Sequence, residues 1–106
     1  MGPIDDQTRN NVAMAFTSIL RGSPAAAGVN LQRAGLALHT IFEHTEEGEP
    51  IDLAALLFYL VQEAKIPEGP ATEIIVVLKS REPRFTGVTF ALPPSCANLT
   101  LSLIHI

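Results

Sequence analysis

Ile74-Ile75-Val76-Val77-Leu78 decides the fold class of this chain. Four β-branched residues and a leucine without a polar interruption read as a strand covered on both faces. Glu68-Gly69-Pro70 ahead of it reads as a turn or linker. Ser80-Arg81-Glu82-Pro83-Arg84 behind it is polar and carries a proline, the composition of a hairpin loop. Val88, Phe90 and Leu92 then alternate with Gly87, Thr89 and Ala91, which predicts a second strand with one apolar face, stopped by Pro93-Pro94. The expectation is a small antiparallel β-hairpin or the start of a larger sheet. Such a remnant leaves an open edge, and natural proteins cover their edges, so further strands or a partner chain should meet it.

Upstream the periodicity changes to that of helices. Val12, Phe16, Ile19 and Leu20 fall at i, i+4, i+7 and i+8, one face of a helix over residues 6–21. Asp5 or Asp6 would accept its free N–H groups, and Gly22 would stop it. Leu31, Ala34, Gly35, Leu38, Ile41 and Phe42 repeat at the same spacing, with Asn30 as cap. Gly35 on that face costs about 1 kcal/mol against alanine, which predicts close approach of a neighbouring backbone. The third helix starts at the cap Asp52, with Ile51 and Leu56 placed as a hydrophobic staple. Leu53, Leu56, Leu57, Leu60, Val61 and Ala64 follow at helical spacing, Phe58 and Tyr59 widen the apolar surface, and Ile66-Pro67 ends the helix. The fold class read from these segments is therefore α+β. Three N-terminal helices should pack on one sheet face through Phe16, Ile19, Leu38, Phe42, Leu56, Leu57 and Leu60.

Bulk composition excludes several function classes. At 106 residues, 47% apolar and 17% charged, the chain is neither apolar-poor nor charge-rich, so it is not disordered as a whole. Its seven Lys and Arg are scattered, against the concentrated basic surface that phosphate binding needs, so nucleic acid is not an expected partner. Lys79, Arg81 and Arg84 form the one basic cluster, interrupted by Glu82. Residues 43–52 hold Glu43, Glu46, Glu47, Glu49 and Asp52 with no base, so this stretch accounts for the net charge of −4. The N-terminus lacks the basic and apolar regions of a signal peptide, and no apolar run approaches the ~20 residues of a membrane span. With the lone Cys96, this reads as a cytoplasmic protein without membrane association.

No constellation for chemistry emerges. His39 and His44 are five apart, which on a helix points them in different directions, and the H-E-x-x-H zinc pattern is absent. His39 and Glu43, at i and i+4, could pair. Cys96 lies in Pro-Pro-Ser-Cys-Ala, which matches no nucleophile elbow, and Gly28 and Gly35 are too sparse for a phosphate loop. Catalytic residues, metal ligands and cofactors are therefore expected to be none. Leu53-Ala54-Ala55-Leu56-Leu57 matches L-x-x-L-L, the leucine pattern of helices that dock into receptor grooves. Leu53, Leu56, Leu57 and Leu60 are accordingly the candidate partner-helix face. Leu31 to His39 resembles the N-terminal segment of the immediate early response regulators over nine of the 106 residues, and no function is carried from it.

The final six residues, Leu-Ser-Leu-Ile-His-Ile at 101–106, read as a translated sequencing adapter, which sets aside His105. Residues 1–100 are then one small α+β domain, or the N-terminal fragment of one truncated at its C-terminus. Asn98 to Ile106 otherwise reads as a terminal strand. The functional expectation is a non-catalytic protein-interaction or assembly module, acting on a protein partner or as a homo-oligomer. The alternative is the N-terminal part of a larger enzyme whose active site lies beyond residue 100.

Overall fold

The structure is a computed structural model, and it describes residues 4–91. The expectations for Leu92 to Ile106, among them the chain end at 101–106 and Cys96, lie outside these residues. Among the described residues are four α-helices: α1 (Asp6–Arg21), α2 (Leu31–Glu43), α3 (Leu53–Gln62) and α4 (Glu68–Ser80). Two short strands, β1 (Ile51–Asp52) and β2 (Phe90–Ala91), and two 3₁₀ turns at Pro24–Ala26 and Glu82–Arg84 complete the elements.

The first three helices start where their caps are. The Asp5 carboxylate accepts the Thr8 N–H at 2.7 Å, and the Asn30 side chain accepts that of Arg33 at 3.2 Å. Asp52 accepts the N–H groups of Ala54 and Ala55 at 2.9 and 3.3 Å. Each cap satisfies donors that have no intrahelical acceptor. Helix α3 stops at Gln62, short of the expected Ile66-Pro67. There the chain reverses through Lys65, whose φ of 58° lies in the left-handed region. The Ile66 N–H closes the reversal on the Leu60 carbonyl at 3.0 Å.

Residues 74–78 correct the sequence reading: they are not a strand but the centre of α4. Pro67 caps that helix and Pro70 sits in its first turn, where a missing N–H costs nothing. Glu-Gly-Pro is thus a helix start rather than a linker. Ala71, Ile74, Ile75 and Leu78, at i, i+3, i+4 and i+7, are buried, while Val76 and Val77 are half-buried. Each β-branched residue gives up at most about 0.7 kcal/mol of helix propensity. Burying one such side chain returns roughly 1.5–3 kcal/mol, so packing overrides propensity. Ser80–Arg84 is consequently the end of α4 and a 3₁₀ turn, not a hairpin loop.

The sheet differs as well. Its strands are β1 and β2, and they run parallel, with Ile51 opposite Phe90 and Asp52 opposite Ala91. An antiparallel hairpin is ruled out because the partner of β2 lies before α3, two helices upstream. The core is built between the helices rather than on a sheet face. Phe16, Leu38, Leu56 and Leu60 fill it as expected, joined by Val12, Ile74 and Leu78.

Candidate interaction surface

Helix α3 sorts its apolar residues by angle. Leu53, Leu56 and Leu60 face inward and have no exposed surface; Leu57 is half-buried. The L-x-x-L-L side of α3 is thus turned to this chain's own core, and the four leucines do not form one accessible face. Phe58 lies about 200° around the helix from Leu56, and it is 59% exposed. Its ring meets Tyr59 edge-on at 5.7 Å, and Tyr59 stacks on His44 at 6.1 Å with 18° between planes. Two positions of α3 and the residue that ends α2 therefore build a small aromatic surface. The signal is in the sequence, since Phe58 falls off the leucine stripe, and it marks a separate face rather than extra width on the same one.

The acidic stretch borders this surface through Glu43, next to His44. Glu43 pairs with His39 at 3.1 Å, the i, i+4 contact anticipated, and both side chains are more than half exposed. Glu49 is committed to its own turn, where it accepts the Glu46 N–H at 2.8 Å. The turn needs Gly48 at φ 89°. Buried Thr45 donates its hydroxyl to the Ile41 carbonyl at 2.7 Å, which anchors the start of the turn on α2. A shallow cleft of about 340 Å³ separates this turn from the start of α1 and from Gly87–Thr89. Asp5, one of the carboxylates on its wall, is already used as the cap of α1.

The basic cluster is divided. Lys79 is bound to Glu82 at 3.1 Å, while Arg81 and Arg84 are exposed. Gly35 lines a cleft between α1 and α2 with Ala13 and Phe42. A methyl group built on it would meet nothing within 4 Å, so the expected close backbone approach does not occur. Met14 on α1 and Leu36 on α2 are the other large apolar side chains that are mostly exposed among the described residues.

Among the described residues, no group of three or more His, Cys, Asp or Glu is placed to hold a metal ion. No helix among them is long and apolar enough to cross a membrane. Compared with known proteins, the chain matches no family model, no curated protein and no solved structure.

Proposed function

We propose that the chain is a non-catalytic protein-interaction or assembly module, and that it meets its partner over the Phe58–Tyr59–His44 surface. The observation that carries this reading is Phe58 itself, a large aromatic side chain with 59% of its surface in water. Interfaces are enriched in aromatic anchors, which bring much apolar area with few rotatable bonds. The acidic stretch beside it favours partners that present positive charge, since complementary charge speeds encounter.

The test compares Phe58→Asp with the unaltered chain, by chemical crosslinking in cell extract and by sedimentation of the purified protein. A partner, or self-association, should be present with Phe58 and lost with aspartate. A central aromatic anchor contributes about 2 kcal/mol or more to binding. Thermal stability should stay within about 0.5 kcal/mol, as for most exposed positions. The reading is overturned if the unaltered chain is strictly monomeric and crosslinks to nothing, or if both proteins bind the same partner equally.

A further inference from the structure

The Ile51 N–H donates to the Thr89 carbonyl at 2.8 Å, so that carbonyl faces β1. Backbone groups of successive residues in an extended strand point to opposite sides, so the N–H and C=O of Phe90 face away from β1. That outer edge is where a third strand would bond. It is filled instead by two side chains. The Glu82 carboxylate accepts the Phe90 N–H at 2.8 Å, and the Lys79 ammonium donates to the Phe90 carbonyl at 3.1 Å. Lys79 also donates to the same carboxylate oxygen at 3.1 Å, closing a ring of three contacts.

Among the described residues, the segment held this way is anchored in the core at its two ends, by Phe85 and Phe90, with Val88 packed against the core between them. Phe85 and Phe90 are buried and meet edge to face at 4.9 Å. Thr86, Gly87 and Thr89 between them are exposed. The locking pair itself reaches solvent, with 43% of the Lys79 and 30% of the Glu82 side chain exposed. A segment with exposed residues between two anchors, held at its edge by a solvent-reached pair, can open locally at a free energy below that of global unfolding.

We infer that residues 85–91 form a strap locked by the Lys79–Glu82 pair, and that breaking the pair frees the outer edge of β2 and lifts Phe85 and Phe90 together while the helices stay folded. The lock is made of one anion and one cation at the surface.

Residue-resolved amide hydrogen exchange tests this, with Ile51 as the reporter. Its N–H is bound to the strap, its side chain is fully buried, and the hydrogen bonds of the locking pair go to Phe90 and to each other. Glu82→Ala and Lys79→Ala each remove two of the three contacts, and each should speed exchange at Ile51 and Phe90 together by about ten-fold or more. Phe16, Leu38 and Leu56 should exchange as before, and the double variant should speed the same two amides by less than the product of the two single effects, since the two side chains are coupled through their own contact. Glu82→Gln keeps an acceptor for the Phe90 N–H but gives up the charge that holds Lys79. It should speed the same two amides by less, and it serves if the alanine variants do not fold. Faster exchange at Phe90 with Ile51 unchanged would reduce the lock to one local hydrogen bond and overturn the strap. Equal acceleration at all five amides would overturn it too, by showing global unfolding instead.

Discussion

Gly35 and Gly87 are chemically identical and should respond oppositely to the same substitution. At Gly35, within α2, an added methyl group enters open space. Gly35→Ala should stabilise the fold by about 0.5–1 kcal/mol, because alanine loses less backbone freedom in a helix. At Gly87, φ is 91° and the methyl group would lie 3.1 Å from Thr8 Cγ2. Gly87→Ala should destabilise by about 1–3 kcal/mol, the range for a side chain held in a disfavoured backbone region. Urea midpoints of the two variants, measured side by side, check both signs. Gly35 as a destabilising residue was legible in the sequence. The absence of anything packed against it was not, because the neighbour of a helix face is chosen by the tertiary fold.

Helix α4 separates what local sequence can decide from what it cannot. Its identity as a helix makes a prediction that a strand covered on both faces does not. Leu78→Ala should cost about 2–5 kcal/mol, since the side chain is fully buried and its removal leaves a cavity. Val76→Ala, half-buried on the flank of α4, should cost less than about 1 kcal/mol. In a strand buried on both faces the two losses would be comparable. Equilibrium denaturation of both variants distinguishes these cases. The caps Asn30 and Asp52 were legible, and that of α1 was narrowed to Asp5 or Asp6, because a cap acts within three residues of itself. The run 74–78 was not, because a short apolar stretch fits a buried helix as well as a buried strand. Pro70 held the missing clue: with Glu68 and Ala71 it marks a first helical turn and a face that continues through Ile74, Ile75 and Leu78. The parallel pairing of β1 with β2 joins residues 39 positions apart, beyond any local pattern. The aromatic surface is split in the same way: Phe58 and Tyr59 are neighbours in sequence, but His44 joins them only through the packing of α2 on α3.

At the scale of the whole molecule, two contacts that close the fold depend on ionised carboxylates. Asp5 caps α1, and hydrogen bonds from Thr8, its side chain first and then its backbone, hold the carboxyl below the usual aspartate range. Glu82 locks the strap, and the Phe90 N–H first, then Lys79, hold its carboxyl below the usual glutamate range. Both groups prefer the charged form more strongly in the folded chain than in the unfolded one. Their contributions are therefore complete above the unfolded carboxyl values, near pH 4–4.5. They are lost as pH falls through that range to the lower folded values. Unfolding by urea between pH 7 and pH 3 should show stability level down to about pH 5 and declining below it. Asp5→Asn keeps an acceptor at the start of α1 while abolishing the titration, and Glu82→Gln does the same for the Phe90 N–H. Each substitution should lower stability at pH 7 and flatten the acid decline, so the curves of variant and unaltered chain draw together as pH falls. Exchange at Ile51 adds a site-specific reading: it should speed up on acidification, relative to Phe16, in the unaltered chain and not in Glu82→Gln. A decline equally steep in both variants would place the acid-sensitive groups elsewhere in the molecule.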